Sequence, residues 1–146
     1  MCMTLYIGSD YALPIEDVLE IGSLPMITRV PSLPEFVRGI MNHRGEIITV
    51  LSLPALFGFS EPAATARGRI LLVRPRNRSY TAALLVEDVK GIQRIPSQQL
   101  QRAPRGGANR MTAVLKGLHS GGDRSLGVMD LAKLFVLPEV RQLEPH

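Results

Sequence analysis

The chain has 146 residues, enough for one domain or for two small lobes that share a core, and too few for a large multidomain enzyme. Hydrophobic residues make up 45% and charged residues 21%. This composition predicts a packed core and excludes a chain that is disordered over its whole length. The longest run without a charged residue, 47–60, has 14 residues and is too short to span a membrane.

Charge is distributed unevenly along the chain. Residues 1–66 carry three arginines and seven acids, net −4, whereas 67–124 carry twelve basic residues and three acids, net +9. This asymmetry predicts two faces or lobes that meet different partners. The basic part favours nucleic acid or an acidic protein surface as one of them.

The N-terminal residues predict the compartment. They contain no basic segment before an apolar one, so we expect no secretory signal, a cytoplasmic protein, and a first strand almost directly at the start. Cys2 is the only cysteine, which fits a reducing compartment and excludes an internal disulfide or a multi-cysteine metal site. We expect Cys2 to lie on a frayed end.

Short apolar runs separated by Gly, Pro, Asn and Ser predict a mainly β protein. Three prolines within 25–34 predict an irregular connection, and 61–66, which has no large apolar side chain, predicts a linker. The predicted strands, in chain order, are 4–8, 12–15, 18–21, 39–41, 46–51, 69–73, 81–86, 91–95, 113–118 and 126–129.

The sequence also contains one internal repeat. Residues 12–21 align with 83–92 at an offset of 71, and six of the ten pairs are identical. Two further segments align at an offset of 78: 37–40 with 115–118, and 53–57 with 131–135. We place the seven-residue difference in the loop around Gly106 and Gly107.

This repeat predicts a single domain built from two related small barrels. Lobe 1 would cover about 1–66 and lobe 2 about 67–137, with a C-terminal segment at 138–146. Because a half of this size buries little alone, we expect the lobes to share an interface. A cleft between them is the first place to look for a binding site.

The residues indicate no assembled catalytic or metal site. The acidic pairs 16–17 and 87–88 occupy the same position in both copies of the repeat, which favours a structural turn over acid–base chemistry. Neither His43 nor His119 has a second histidine at ligand spacing, and no nucleophile motif is present. We therefore expect no catalytic residue, no metal ion and no cofactor, and a small hydrolase is only a remote alternative.

Arginines surround the apolar run 70–73 within 67–78. We favour a buried strand with solvated ends, and an acidic protein partner stays open. The alternative function is a basic β barrel that binds nucleic acid, although Tyr80 is the only aromatic residue nearby that could stack on bases.

The most distinctive segment is 39–46. It predicts a strand that ends in a tight turn, where Asn42 and Gly45 take unusual backbone angles and Arg44 is held at the tip. A turn arginine is usually just solvated. Glu20, however, is expected on the neighbouring strand within reach of Arg44 for a carboxylate–guanidinium pair.

Taken in order, five segments resemble the CheW family, the small coupling proteins of bacterial chemosensory arrays: 18–21, 27–31, 34–50, 84–92 and 128–131. The resemblance covers essentially the whole chain. It implies two five-stranded SH3-like barrels around a shared apolar core and no catalytic activity. It also implies a stand-alone adaptor that links the cytoplasmic tip of methyl-accepting receptors to the regulatory domain of a histidine kinase.

The resemblance further implies a receptor site. By position, four residues match family residues tied to receptor binding or signalling: Val18, Glu20, Gly39 and Arg44. Glu20 and Arg44 match the family's acid–arginine pair. We expect a helical hairpin of the receptor to bind in a groove, where Arg44 sets direction and apolar side chains supply contact area. We add three residues to these candidates: Asn42, Ile40 and Met41. Ile40 and Met41 would supply the apolar contacts together with Val18.

Two further expectations follow from the resemblance. The kinase contact would involve loops of lobe 2, without assigned residues, and receptor arrays would recruit the protein to the inner face of the membrane. The family usually has Asp where this chain has Ser52, whereas Asp130 keeps the pattern in lobe 2. We expect a local cap or hydrogen bond to be lost at Ser52.

Overall fold

The computed structural model describes residues 1–59, 68–75, 79–102, 110–121 and 124–143. The predicted linker at 61–66 and the loop around Gly106 lie outside them. The described strands are β1 Cys2–Tyr6, β2 Asp10–Pro14, β3 Val18–Ser23, β4 Val37–His43, β5 Glu46–Ser52, β6 Arg69–Val73, β7 Ala82–Val86, β8 Asp88–Gln93, β9 Leu100–Gln101, β10 Leu115–Gly121 and β11 Arg124–Met129. The mainly β prediction is confirmed.

The described helices are short: α1 Leu53–Leu56, α2 Arg110–Val114, α3 Leu131–Phe135 and α4 Pro138–Arg141, with 3₁₀ turns at Ile15–Asp17 and Ser97–Gln99. Among the described residues, no helix combines the length and apolar character that crossing a membrane requires. The strand predicted at 113–118 is wrong at its start, because α2 continues to Val114 before β10 begins. The two-residue strand β9 was not predicted.

The strands form two sheets. The first sheet has five strands in the order β3-β6-β7-β5-β4, and the second has six in the order β8-β1-β2-β11-β10-β9. Neighbouring strands are antiparallel except for two parallel pairs, β5 with β7 and β11 with β2. The sixth strand, β9, forms only two residue pairs with β10.

Each sheet combines strands from both copies of the repeat. In the first sheet, β5 pairs with β7 through Thr49 and Ala82. In the second sheet, β11 pairs with β2 through Gly127 and Tyr11. Gly127 is equivalent to Thr49 at the repeat offset of 78, and Tyr11 is equivalent to Ala82 at the offset of 71. The sheets therefore cross the lobe boundary predicted at 66/67, and the repeat relates one sheet to the other.

A central core lies between the two sheets. Alternate side chains of β6 show why its apolar run is continuous: Leu71 and Val73 face the central core, whereas Ile70 and Leu72 face a smaller cluster on the other side of the sheet. The buried strand predicted at 69–73 is thus confirmed. Other large residues of the central core include Met3, Leu5, Leu13, Leu51, Leu84, Met129, Leu134 and Phe135.

The second sheet has its own smaller cluster, and it contains Cys2. That residue is buried in β1 beside Ala12, Ile95 and Val128. Burial raises the pKa of the Cys2 thiol above its ordinary value. The prediction that Cys2 lies on a frayed end is wrong, because β1 is paired on both sides, with β2 and β8.

Equivalent side chains cap the helices that follow the two main hairpins. Ser52 Oγ accepts a hydrogen bond from the Ala55 N–H at 3.2 Å, and Asp130 Oδ1 accepts one from the Ala132 N–H at 2.9 Å. The expected loss of a cap at Ser52 is therefore wrong. Ser52 is fully buried, and a carboxylate there would have to be desolvated, whereas Asp130 is half-buried.

Replacing the buried cap should measurably destabilise the protein. We expect Ser52→Ala to lower the free energy of unfolding by about 1 kcal/mol, since the Ala55 N–H loses its acceptor. Denaturant unfolding of Ser52→Ala beside Ser97→Ala, a change at an exposed residue, provides the measurement and the control. Equal midpoints and slopes for the two variants would show that the Ser52 cap contributes nothing.

Candidate functional site

The β4–β5 hairpin ends in a two-residue turn that presents Arg44. His43 pairs with Glu46, and the two residues between them have positive φ, +51° at Arg44 and +85° at Gly45. Positive φ at both central residues matches the right-handed twist of a hairpin. The predicted tight turn is confirmed, but the unusual backbone angle falls on Arg44, not on Asn42. Asn42 instead uses its side chain, whose Oδ1 accepts a hydrogen bond from the Gly45 N–H at 3.0 Å.

The first sheet curls until its two edge strands face each other. β3 and β4 lie at opposite edges, and no β ladder joins them. Nevertheless, Glu20 on β3 contacts both His43, the last residue of β4, and Arg44 in the turn. We call this gap between β3 and β4 the seam.

Backbone pairing closes the other end of the seam. The Thr28 N–H donates to the Ile40 carbonyl at 2.8 Å, and the Ile40 N–H donates to the Thr28 carbonyl at 2.9 Å. Between the two closures lies a cleft of about 280 Å³. Its lining residues are Glu20, Gly22, Ser23, Leu24, Pro25, Met41, Asn42, His43, Ile70 and Leu72.

Two side chains share the Glu20 carboxylate unequally. His43 Nε2 lies 3.2 Å from Oε2, whereas Arg44 Nη2 lies 3.5 Å from Oε1. The side chains are 25% exposed for His43, 39% for Glu20 and 77% for Arg44. The predicted acid–arginine pair is present, but it is the longer and more exposed of the two contacts.

Sequence reasoning missed the contact of His43 with Glu20. Alternation along β4 carries only the part of the signal that concerns the face, because residues two apart on a strand point to the same face. Met41 points into the apolar cluster of the first sheet, so His43 lies on that same face, where it reaches Glu20 across the seam.

The other predicted site residues are divided between surface and interior. Met41 is only 7% exposed and therefore offers little surface to a partner in this structure. Gly39 is also buried, Val18 and Ile40 are half-buried, and Asn42 is exposed.

Sequence reasoning also missed two exposed apolar side chains on β3, Leu19 and Ile21. Ile21 pairs with Leu71 and so lies on the opposite face of the strand from Glu20, which pairs with Leu72, whereas Leu19 falls where the ladder shifts register between Val18 and Glu20. Alternation from Glu20 would have indicated Ile21, whereas the register shift at Leu19 could not be read from the sequence.

The remaining candidates have ordinary structural partners. The His119 ring contacts the Gln99 side chain at 3.3 Å, and no group of His, Cys, Asp or Glu within the described ranges could hold a metal ion. Glu16 and Asp17 lie in the 3₁₀ turn that leads into β3, while Asp88 begins β8, so both acidic pairs occupy the predicted corners.

The described part of the basic stretch also supports a structural interpretation. Arg74 is exposed beyond the end of β6 and lies 3.4 Å from the Thr81 hydroxyl, while Arg69 at the other end donates to the Gly68 carbonyl. These are the charged ends of a buried strand. Nothing among them favours the nucleic-acid alternative.

The family model of the CheW-like domain matches residues 2–139. The chain belongs to the CheW-like family. Similar proteins include FrzA of Myxococcus xanthus, 30% identical over 124 residues, which are 83% of this chain and 75% of that protein. The chemotaxis protein CheW of Klebsiella aerogenes is 25% identical over 133 residues, 91% of this chain and 79% of that protein.

A solved structure supports the same assignment. The scaffolding protein TtCheW from Thermoanaerobacter tengcongensis matches with a TM-score of 0.81 and 28% identity, covering 94% of this chain and 93% of that chain. The two β lobes implied by the resemblance are therefore confirmed, and the chain is a CheW-like coupling adaptor of chemotaxis signal transduction.

Proposed function

We propose that the chain couples the cytoplasmic tip of a methyl-accepting receptor to the regulatory domain of a histidine kinase, without catalytic activity of its own. The receptor would bind beside the seam. The observation that carries this proposal is the pair of Glu20 and Arg44 across the seam, in a chain of the CheW-like family.

The geometry of the turn supports a role for Arg44 in recognition. Its backbone is fixed by the two-residue turn and by the Asn42 side chain, while its side chain is 77% exposed. Because the Arg44 backbone is held in place, its exposed guanidinium, which carries five N–H donors, is suited to directional binding to acidic or carbonyl groups of a partner.

Apolar contact area is available on the neighbouring strand. Leu19 and Ile21 are exposed on β3, whereas Met41 is buried, so we assign them the contact role that Met41 cannot fill. Together with the half-buried Val18 and Ile40, they would pack against an amphipathic helix of the receptor.

The kinase contact is proposed for loops within residues 67–137, the sequence half predicted as lobe 2, whose segment 67–124 has a net charge of +9. A basic surface steers an acidic partner and raises its association rate. Binding of receptor and kinase at different parts of the chain would let the adaptor join them in arrays at the inner face of the membrane.

Removing the Arg44 side chain should weaken receptor binding and leave the stability of the fold nearly unchanged. We expect Arg44→Ala to weaken binding of a receptor cytoplasmic-tip hairpin at least about fivefold, as for a central charged contact. Its free energy of unfolding should change by less than about 1 kcal/mol, because the side chain makes one exposed ion pair. Calorimetric titration and denaturant unfolding measure the two effects.

Arg94→Ala is the matched control, because it removes the same charge from an exposed residue just after β8. It should leave the affinity for the tip unchanged. Equal affinities for wild type and Arg44→Ala would contradict the assigned role of Arg44.

A further inference from the structure

We propose that His43 is a positioning residue for the receptor site: it holds the Glu20 carboxylate across the seam and leaves the Arg44 guanidinium available to the partner. This inference rests on the proposed receptor-binding function of the turn. It assigns the task of closing the seam to His43, a residue that the acid–arginine pair does not include.

Distance and burial favour His43 as the group that orients Glu20. Its Nε2 lies 3.2 Å from Oε2, and its side chain is only 25% exposed. With a proton on Nε2, the ring donates directly to the carboxylate. The short, planar imidazole also has few rotatable bonds to immobilise, and partial burial strengthens a hydrogen bond to a charged acceptor.

Arg44 is poorly suited to the same task. Its Nη2 lies 3.5 Å from Oε1, at the outer limit of a hydrogen bond, and the side chain is 77% exposed. Exposed ion pairs of this kind contribute little, because water competes for both groups and a long side chain must be ordered. Most of the guanidinium donors therefore stay available for an incoming acidic or carbonyl group.

The topology makes the position of Glu20 important. Because no ladder joins β3 to β4, the end of the seam opposite the Thr28–Ile40 bridge is held by side chains. A Glu20 side chain released from His43 would be free to follow Arg44 into solvent or to compete with the partner for its guanidinium. Fixing Oε2 on His43 limits that competition.

The first test is the coupling between the two contacts of Glu20, measured in the 146-residue chain by denaturant unfolding. Double-mutant cycles would combine Glu20→Ala with His43→Leu, and Glu20→Ala with Arg44→Ala. We expect the Glu20–His43 pair to change the folding equilibrium about two- to fivefold beyond additivity, and the Glu20–Arg44 pair less than about twofold. Additive effects at Glu20 and His43 would overturn the proposal.

The second test is binding of the receptor-tip hairpin and, separately, of the kinase regulatory domain. We expect His43→Leu to weaken tip binding about three- to tenfold, as for a lost positioning contact, while kinase binding is unchanged. His43→Gln keeps a side-chain N–H donor and should restore most of the affinity. His119→Leu, at the other hairpin, is the control, since its ring contacts Gln99.

The outcomes separate the two proposals. If wild type does not bind the tip, the proposed receptor site fails and the unfolding cycles alone decide whether His43 holds Glu20. If Arg44→Ala loses tip binding while His43→Leu binds like wild type, the receptor site stands and the positioning role of His43 is overturned. Equal losses of tip and kinase binding in His43→Leu would indicate general loosening of the fold and also overturn it.

Discussion

Residues 1–66 expressed alone should remain unfolded. In the intact chain, β3 and β5 of this fragment pair with β6 and β7, and β1 and β2 pair with β8 and β11. The fragment would lose all four of these ladders and leave its share of the central core exposed. We expect its amide NMR spectrum to lack the dispersion of a folded protein, and its circular dichroism to show no cooperative unfolding.

Mixing the two halves is the control for this result. Residues 1–66 and 67–146 together contain every strand of both sheets, so an equimolar mixture should recover part of the dispersed spectrum of the full chain. The intact 146-residue chain should unfold in one transition, because both sheets contain strands from both halves and share one core. A folded spectrum from 1–66 alone would mean that the repeat units form independent barrels.

The repeat predicted which segments are equivalent but not how they pair. Residues 12–14 and 83–85 have nearly the same apolar pattern, so β5 could pair with either β2 or β7 as far as local sequence shows. The choice of β7 depends on the path of the chain between the sheets, a long-range property. Strand positions were therefore predictable, whereas the exchange between the two halves was not.

Only the turn and the acid–arginine pair of the candidate site were predictable. Residue types at the tip of 39–46 indicated the turn, and the acid–arginine pair followed from the family resemblance. The contact of His43 with Glu20 and the burial of Met41 depend instead on the curl that brings β3 to β4, and strand alternation alone does not give that curl. Ile21 needed only the bounds of β3, whereas Leu19 lies at a register shift that alternation does not predict.

Gly39→Ala should strongly destabilise the protein. Gly39 has φ of +143°, and a Cβ at this position would overlap the Thr28 carbonyl oxygen and lie 2.8 Å from its carbon. Both atoms belong to the backbone that pairs with Ile40, so they cannot move without breaking the closure of the seam. We expect the free energy of unfolding to fall by about 2–4 kcal/mol, from backbone strain and steric overlap together.

Two other glycines separate the effect of backbone strain from that of steric overlap. Gly45 has φ of +85° with nothing within 4 Å of a built Cβ, so Gly45→Ala should show strain alone, about 1–2 kcal/mol. Gly22 in β3 has neither problem, and Gly22→Ala should change stability by less than about 1 kcal/mol. The three variants are compared by denaturant unfolding, and a Gly39→Ala variant as stable as Gly22→Ala would contradict the steric assignment.

Gly39 should affect receptor binding only through the fold. Its missing side chain cannot touch a partner, and its backbone is buried against Thr28. We therefore expect Gly39→Ala to lose tip binding only in proportion to the fraction of protein that is unfolded or has an open seam. Lowering the temperature toward maximum stability should then recover binding in Gly39→Ala but not in Arg44→Ala, because only the first change acts through the fold.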